Sequence, residues 1–582
     1  MRRTTTVAAC ALILAASVYL FSAQTRLSPV NDEPANIPTG YVFLKTGRMA
    51  DPTHPPLARY LMSVPLWFLD PSPMAGDPDL GRDWHPFGRR FLFQNDRTWR
   101  EITWASRSMV IATAVALLVL VFHWVRRLWG GGAAIAAVAF LAFEPTFLGH
   151  GNLATLDVPA ALGFFGTVYA YWAYRTNPGL GRFSLFALAL GLAWMTKFSS
   201  GVLFVAIPCI AALGRSRLLP SLRARAAILV GVVGLVSAAS YGFQFRRMNE
   251  DPQILHTRES AAIARGIEQV ARALGTDRES LMDLPIPLYD LAKGTGLQVV
   301  HAAAQDLWED ADFYQYLNGE YSRNGWRTYY LWTFLWKSTL PTILLVLALI
   351  ATGVALAVSR GSARNAAAAR VWPFLLVPPL AHFAACSFST IAIGHRYLMP
   401  IVPFLAVGAG WLWVQAGSSR LARGLIVLAI LWHAGSSVAV WPRALAYFNE
   451  VAGGPANAWR HLADSNVDWG QDLLALQEDV QRTRSAGFEV FGDVFGTVRP
   501  EDLGFALPKP PESGPPQAAD RVVIYLSFNR WLLRSRLHPD GLYPWLRAAE
   551  PSRIVGASIA VFEPGSPRSS RSDGASGSAT SR

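Results

Sequence analysis

Charged residues and cysteines are scarce in this chain of 582 residues. Only 16% of the residues are charged, whereas 52% are hydrophobic, and a soluble domain carries about a quarter charged residues. The mean hydropathy is +0.25. Cys10, Cys209 and Cys386 all lie within apolar runs, where a thiol usually behaves as a small hydrophobe. This composition excludes a disordered chain, a collagen and a disulfide-rich scaffold, and it predicts a membrane protein.

Local metal-binding motifs are also missing from the sequence. It contains no Cys-x-x-Cys pair, no Cys/His zinc spacing and no His-Glu-x-x-His motif. We therefore expect neither a metal site nor another cofactor. A divalent cation stays open as an alternative, because carboxylate and imidazole groups that share one membrane face are potential ligands: Asp32, Glu33, His54, His150 and Asp157.

Apolar runs occupy most of the chain instead. A membrane-spanning helix needs about 20 mostly apolar residues, and eleven runs predict such spans, at 6–23, 106–125, 132–148, 157–174, 183–197, 200–214, 226–245, 329–359, 371–388, 397–416 and 424–441. The fifth and sixth are short, which predicts a hairpin broken at 196–200. The first follows Arg2 and Arg3 and resembles a signal peptide, but we expect an uncleaved helix, because no convincing small-residue cleavage site follows it.

Arginines in the short connections orient these spans. One set of alternate connections contains no Asp or Glu and holds fifteen arginines, at 2, 3, 126, 127, 175, 182, 215, 217, 223, 225, 360, 364, 370, 420 and 423. The positive-inside rule makes that side cytoplasmic, which places the N-terminus inside and the C-terminus outside. Without these fifteen, 37 basic residues remain against 40 acidic ones, so the net charge of +12 reflects topology. We expect no nucleic-acid partner.

The larger polar segments all fall on the opposite, outer side. They are two loops at about 24–105 and 246–328 and a C-terminal domain at 442–565, which follows a transmembrane module at 1–441. An amphipathic helix is predicted in the second loop at 259–274. The C-terminal domain is predicted to be a small α/β domain, because a helix near 472–484 precedes strands near 522–528 and 555–562, with a proline-rich loop at 499–519. The tail at 566–582 is predicted to be disordered. The predicted fold is thus an α-helical polytopic membrane protein.

Candidate chemical groups gather on the same outer side. Asp32 and Glu33 directly follow the first span, His54 lies in the first loop, and His150 and Asp157 lie between the third and fourth spans. A purely structural interpretation is also open. Asp32 and Glu33 suit the cap of a helix that begins at Pro34, and Thr155 or Asp157 suits the cap of the fourth span.

Four cations stand on the outer side against the topological charge bias. These are Arg107, Lys197, His395 and Arg396. A structural alternative for Lys197 is an amphipathic side chain that extends to the interface. Cations that remain on the outer face nevertheless favour a bound anion such as a lipid phosphate.

Several short motifs resemble one enzyme family. They are Asp32-Glu33-Pro34, His54-Pro55-Pro56-Leu57-Ala58, Gly149-His150-Gly151 with Thr155-Leu156-Asp157-Val158, Leu192 to Ser199, His395-Arg396-Tyr397-Leu398-Met399-Pro400, and Tyr447-Phe448-Asn449-Glu450 through Asp464 to Asp472. In order and placement they resemble the GT-C membrane glycosyltransferases, in the phospholipid-carrier branch related to glycosyltransferase family 39 (protein O-mannosyltransferases) and to the lipid A aminoarabinose transferase. The resemblance covers about residues 6–475.

That resemblance implies a function and roles for residues. A sugar would move from a polyprenyl-phosphate donor to an acceptor hydroxyl at the extracytoplasmic face, with inversion at the anomeric carbon. Asp32 would be the general base beside Glu33. The donor phosphate would meet Arg107, Lys197, His395 and Arg396, and the substrates would meet His54, His150, Asp157 and Tyr397. The loop 246–328 is too short for the β-trefoil of yeast-type protein mannosyltransferases, so the acceptor stays open as a glycan, lipid or protein.

Three other functions are compatible with a polytopic helical protein. One is a metal-dependent membrane hydrolase or transferase, which would use the carboxylate and imidazole ligands named above. A transporter or flippase would move a lipid-linked or anionic substrate without changing it, but such proteins usually carry internal repeats and polar groups near the middle of the membrane. An adhesion or assembly protein would depend on the C-terminal domain and would tolerate loss of Asp32.

Overall fold

A computed structural model describes residues 2–213, 222–251, 261–273, 275–303, 315–358, 371–514, 521–533, 542–547 and 549–563. The chain is mainly α-helical over these residues. The longer helices are Arg2–Gln24, Glu33–Thr46, Trp84–Phe93, Trp99–Trp129, Gly131–Ala142, Asp157–Thr176, Leu180–Thr196, Leu203–Leu213, Leu222–Ser240, Ala261–Ala273, Tyr289–Ala303, Tyr329–Lys337, Leu340–Val358, Trp372–Phe388, Val402–Gln415, Arg420–Ala439 and Leu473–Ser485. The predicted fold, an α-helical polytopic membrane protein, is confirmed.

Local sequence signals set the ends of the longest helix, Trp99–Trp129. Thr98 and Glu101 form a capping box at its start, in which each side chain accepts a hydrogen bond from the other residue's backbone N–H. Arg126 and Arg127 lie in its last turn, where positive charge is favoured by the helix dipole. This helix packs against Gly131–Ala142 and Asp157–Thr176 in the largest apolar core of the described residues.

Each of the eleven predicted spans coincides with helical structure, although the helices differ in length. By length and composition, five of the described helices can cross a membrane: Arg3–Gln24, Trp99–Trp129, Arg223–Ser240, His395–Gln415 and Arg420–Ala439. A bent pair, Tyr329–Lys337 with Leu340–Leu356, makes a sixth if it is one span. The number of eleven spans stays a prediction. The predicted break near residue 197 is present, since Leu180–Thr196 ends there and a 3-10 turn at Phe198–Val202 follows.

The predicted span 329–359 is not a straight helix. The helix direction changes by 117° between its two halves. At the bend, the Lys337 amine is buried and donates hydrogen bonds to the carbonyl groups of Leu445 and Asn466, at 2.8 and 2.6 Å. Pro341 follows the bend and has no N–H with which to continue the hydrogen-bond ladder. The first half is therefore tied to the segment that follows the last helix of the bundle.

The two outer loops contain short helices and small β-ribbons. The first loop holds Glu33–Thr46, Leu57–Ser63, Leu66–Leu69 and Trp84–Phe93. In the second, the described part of the predicted helix 259–274 is Ala261–Ala273, and its end residues 259 and 274 lie outside the described residues. Strands β1 (Phe245–Arg246) and β2 (Ile286–Pro287) pair antiparallel, as do β3 (Gln315–Leu317) and β4 (Glu320–Ser322).

The C-terminal region forms a four-stranded mixed sheet beside the helix Leu473–Ser485. Its strands are β5 (Glu489–Asp493), β6 (Val522–Ser527), β7 (Arg553–Val555) and β8 (Ile559–Phe562), in the order β5-β6-β8-β7. Strands β5 and β6 are parallel, whereas β6–β8 and β8–β7 are antiparallel. The sequence predicted the helix, β6 and the β7–β8 region but missed β5. The predicted disordered tail, 566–582, lies outside the described residues.

The sheet shares an apolar core with the helical module. One face of β6 packs with Trp531 and Trp459, and the same cluster includes Tyr329, Tyr330 and Leu398 from the helical part of the chain. Residues on both sides of the predicted division at 441/442 therefore contribute to one packed interior. This packing brings the segment before the sheet against the ends of the membrane helices.

Candidate active site

The predicted site residues sit at helix ends that face away from the arginine-rich connections. Asp157 begins the helix Asp157–Thr176, and Arg175 lies in the last turn at its opposite end. Lys197 directly follows Leu180–Thr196, whose first turn holds Arg182. Arg396 lies in a 3-10 helix, His395–Ile401, which leads into Val402–Gln415. The fold thus collects these side chains at one end of the bundle.

Two carboxylates and two cations form the centre of the site. The Arg396 Nη1 atom lies 2.9 Å from Oδ2 of Asp32 and 3.7 Å from Oδ2 of Asp157. The Lys197 Nζ atom donates to Oδ1 of Asp157 at 2.6 Å. The four charges therefore alternate in sign from Asp32 through Arg396 and Asp157 to Lys197. We call these four residues the charge chain.

Aromatic rings frame the two cations. The Trp469 ring centroid lies 4.0 Å from Cζ of Arg396, and the Tyr397 ring centroid lies 4.9 Å from Nζ of Lys197. The His150 ring meets the Trp469 ring edge to face at 5.7 Å. Such contacts favour a cation over the ring face and limit the positions that it can take. Both cations are therefore held in place by an aromatic neighbour as well as by a carboxylate.

Several buried polar atoms of the charge chain have no hydrogen-bond partner within the protein. They are Nε of Arg396, Oδ2 of Asp157 and, next to them, Nδ1 of His150, which lies 4.0 Å from that oxygen. Asp32 is the accessible end of the chain, since 32% of its side chain is exposed against 1% for Asp157. Buried polar groups are almost always hydrogen-bonded. These atoms are consequently the ones with capacity left for a polar substrate.

Glu33 and Arg107 form a separate, closed pair beside the charge chain. Both side chains are fully buried, and Nε and Nη2 of Arg107 each donate to one Glu33 oxygen at 2.7 Å. The same guanidinium also donates to the backbone carbonyl groups of Gln24, Leu27 and Ser28. The nitrogens of Arg107 therefore all donate to protein acceptors, and none of them donates to Asp32.

The Glu33 carboxylate also binds two backbone N–H groups. Its two oxygens also accept hydrogen bonds from the backbone N–H of Val30 and of Ala154, at 2.8 and 2.7 Å. Ala154 belongs to the connection between His150 and Asp157, and Val30 lies two residues before Asp32. Glu33 thus ties together the two backbone segments that carry Asp32 and Asp157.

His395 and His54 lie at the border of the site. Nδ1 of His395 is 3.1 Å from Oγ1 of Thr333, so this imidazole faces the helix Tyr329–Lys337. His54 lies beside the buried ion pair of Arg59 and Asp51, and its Nδ1 has no partner within the protein. Burial and the nearby Arg59 and Lys197 cations lower the pKa of His54 to about 3. His54 is therefore neutral at physiological pH.

The structure adds two residues that the sequence did not select. Trp469 covers Arg396, and Asp464 is a third carboxyl group within electrostatic reach of Asp32 and Arg396. Burial raises the pKa of Asp464 to about 6, and the backbone hydrogen bond from Ser465 opposes that increase. Both residues belong to the family-like segment Asp464–Asp472, so a signal was present in the sequence, but nothing in it pointed to individual side chains.

A bound divalent cation, the alternative that the sequence left open, would need several ligands close together. Within the described part of the chain, no group of three or more His, Cys, Asp and Glu side chains is arranged to hold a metal ion. Asp32 and Asp157, which share the charge chain, each face a cation instead.

Comparison with known proteins links this site to an enzyme family. Residues 100–241 match the family described as dolichyl-phosphate-mannose-protein mannosyltransferase. The matched segment includes Arg107, His150, Asp157 and Lys197. This match supports the relation to the GT-C membrane glycosyltransferases that the sequence motifs predict.

Solved structures show weaker similarities over most of the chain. Crystal structures of ArnT from Cupriavidus metallidurans were determined with undecaprenyl phosphate and in the apo state. The first is 13% identical, covers 95% of this chain and 97% of that chain, and has a TM-score of 0.47. The oligosaccharyltransferase AglB from Archaeoglobus fulgidus, in complex with an inhibitory peptide and a dolichol-phosphate, is 12% identical, covers 95% and 74%, and has a TM-score of 0.44. No curated protein matches the chain.

Proposed function

We propose that this protein transfers a sugar from a polyprenyl-phosphate donor to the hydroxyl group of an acceptor. The charge chain is the observation that carries this proposal. It places an accessible carboxylate 2.9 Å from a buried guanidinium, and a second cation is held through Asp157. A base and a phosphate-binding pair are the two functions that such a transfer needs.

The chemical step is a direct displacement at the anomeric carbon. Asp32 accepts the proton of the acceptor hydroxyl while that oxygen forms a bond to the anomeric carbon. The bond from this carbon to the phosphate oxygen breaks, and the polyprenyl phosphate leaves with the electron pair. Attack from the face opposite the phosphate inverts the configuration. No strong general acid is required, since a phosphate is a good leaving group.

Arg396 and Lys197 stabilise the charge that develops on the departing phosphate. Their side chains are buried, and electrostatic stabilisation is stronger where water is excluded. Asp157 orients both cations through its two oxygens, and the free Nε of Arg396 offers an additional donor. His150 and Tyr397 border the same space and would contact the substrates.

Glu33 and Arg107 receive a different role from the one that the sequence implied. Since every Arg107 nitrogen already donates to the protein, we assign this pair to positioning of the Asp32 and Asp157 backbones rather than to the donor phosphate. His395 fixes the start of the Arg396 turn, because its backbone N–H donates to Oδ1 of Asn466 at 2.8 Å. His54 stays a candidate hydrogen-bonding group for a substrate.

The site would face the extracytoplasmic side of a bacterial cytoplasmic membrane. Helices that begin or end at the site carry Arg175 and Arg182 at their other ends, where the positive-inside rule places the cytoplasm. A lipid-linked donor would then be used in the outer leaflet. The acceptor class, whether glycan, lipid or protein, is decided by the assay below.

A transfer assay tests the proposal directly. Purified protein in lipid is given radiolabelled polyprenyl-phosphate sugar and a cell-envelope extract, and the labelled fraction identifies the acceptor. We expect donor-dependent transfer that falls about 10³-fold in Asp32→Asn, within the range for loss of a general base. Asp83→Asn is the matched control, because this aspartate caps the outer-loop helix Trp84–Phe93 and is half exposed.

Either of two results would overturn the proposal. One is the absence of any donor-dependent transfer by the wild-type protein, and the other is undiminished transfer by Asp32→Asn. Movement of the labelled donor between leaflets without its consumption would instead identify a flippase.

A further inference from the structure

The segment 464–471 lies between the C-terminal sheet and the charge chain, and we call it the bridging segment. It begins with an unusual backbone conformation, since Asp464 has a φ of 57°. Residues other than glycine rarely adopt this left-handed region, and they do so mainly where the surrounding structure enforces it. The contacts of the bridging segment show what enforces it.

One residue just after strand β6 holds the bridging segment at two points. Asn529 follows strand β6 closely and is buried. Its Oδ1 accepts from the Asp464 N–H at 2.7 Å, and its Nδ2 donates to the Asp468 carbonyl at 2.9 Å. Its own backbone N–H donates to Oδ2 of Asp468 at 2.9 Å. A single asparagine thus fixes both ends of the turn 464–468.

The other side of the bridging segment holds the backbone that carries Asp32. The Asn31 N–H donates to the Trp469 carbonyl at 2.9 Å, and the Ser28 N–H donates to the Gln471 carbonyl at 3.1 Å. The Oδ1 atom of Asn31 accepts from the N–H and Oγ1 of Thr497, at 3.0 and 3.1 Å. The residue directly before Asp32 is therefore fixed by the C-terminal region.

The bridging segment also holds Arg396. Asn466 accepts from the N–H of His395, and the Ser465 hydroxyl donates to the Ile393 carbonyl at 2.8 Å. The Trp469 ring covers the Arg396 guanidinium at 4.0 Å. Both partners of the 2.9 Å Asp32–Arg396 contact are consequently attached to the same eight residues.

We propose that Asn529 is a positioning residue, through which the C-terminal sheet aligns Asp32 with Arg396 by way of the bridging segment. This gives the C-terminal domain a role inside the site, although none of the four described strands carries a residue of the charge chain. The consequence for catalysis rests on the proposed function, whereas the positional coupling does not.

Hydrogen exchange in the full chain tests the coupling without any assay of activity. In Asn529→Ala, we expect the amides of 28–33 and 464–471 to exchange at least tenfold faster than in the wild type, with the helix Trp99–Trp129 unchanged. Asn529→Asp keeps an acceptor for the Asp464 N–H but replaces the donor to the Asp468 carbonyl by an oxygen, so exchange in 464–471 should accelerate in this variant too. It also serves if the alanine variant does not fold. Gln481→Ala, an exposed amide of the same domain, is the matched control.

Unchanged exchange in 28–33 overturns the proposal, and so does a uniform acceleration across the whole chain. Transfer activity provides a second test. We expect Asn529→Ala to lower kcat about tenfold in the wild-type background and much less in the Arg396→Met background, because the effects of coupled residues on kcat are not additive. Additive effects contradict the positioning role. Absence of transfer by the wild-type protein would contradict the proposed function only. The hydrogen-exchange result would still decide whether Asn529 is coupled to residues 28–33.

Discussion

Two neighbouring acidic residues, Asp32 and Glu33, each pair with an arginine, but the two pairs differ in burial and in how many of their polar atoms the protein uses. Glu33 and Arg107 are fully buried, and every oxygen and nitrogen of the pair is used by the protein. Asp32 is one-third exposed, and its partner Arg396 keeps Nε without a protein partner. Complete satisfaction marks a pair that stabilises the fold, whereas incomplete satisfaction in a buried place marks a pair available to a ligand.

The largest effect on stability is expected from the closed pair. Arg107→Met leaves the Glu33 carboxylate buried without its cation, and removal of one partner from a buried ion pair costs about 3–5 kcal/mol. Unfolding of the protein in detergent, followed by tryptophan fluorescence, measures the loss. Stability within about 1 kcal/mol of the wild type would contradict the structural role of the pair.

The pair formed by Asp32 and Arg396 is expected to matter more for transfer than for stability. Arg396→Met removes one donor to the departing phosphate, which lowers transfer about 10²–10³-fold, equivalent to about 3–4 kcal/mol in the barrier. Its free energy of unfolding should fall less than that of Arg107→Met, because Asp32 can be solvated. If Arg396→Met were the less stable variant and retained full transfer, the distinction between the two pairs would be wrong.

The sequence predicted the architecture well where a long-range contact was not needed. Apolar runs located the helices, and the helix ends brought Asp32, His150, Asp157, Lys197, Arg396 and Tyr397 to one place. The bend after Lys337 was missed although Pro341 is a local signal, because the carbonyl groups that bind the Lys337 amine lie more than 100 residues away along the chain. Strand β5 was missed because Glu489–Asp493 is short and contains Gly492, a residue that weakens a strand signal.

The roles of the two arginines could not be separated from the sequence. Arg107 and Arg396 both break the topological charge bias, so both looked like anion-binding residues. What separates them is pairing, since Arg107 finds Glu33 at a distance of 74 residues along the chain and Arg396 finds Asp32 at 364. The sequence did not single out Trp469 within its family-like segment either, because one tryptophan among 21 is usually an apolar core residue.

Asp464, the third carboxyl group near Arg396, makes the stability of the protein depend on pH. The pKa of Asp464 is raised to about 6, above the value of about 3.9 expected in the unfolded chain. The folded state therefore binds more protons between these values, and stability falls as the pH rises from about 4 to 6. The drop is about 3 kcal/mol at about 1.4 kcal/mol per pKa unit.

Asp464→Asn should remove this slope. Its amide oxygen can still accept from the Ser465 N–H, and it has no charge to desolvate. Unfolding measured at several pH values between 4 and 7 checks the slope in both proteins. An identical pH dependence in the variant would show that another group is responsible.

The smallest expected effect concerns Trp469, and it separates packing from cation recognition. Trp469→Leu removes the ring over Arg396, a contact of the kind that contributes about 1 kcal/mol. Transfer should fall about fivefold, because the guanidinium loses one of its constraints, and Trp469→Phe should recover part of it, since a smaller ring still attracts a cation. Trp67→Leu is the matched control, because Trp67 lies over Lys45 at 4.4 Å in an outer loop away from the charge chain. Equal transfer by the leucine and phenylalanine variants would show that Trp469 only fills space.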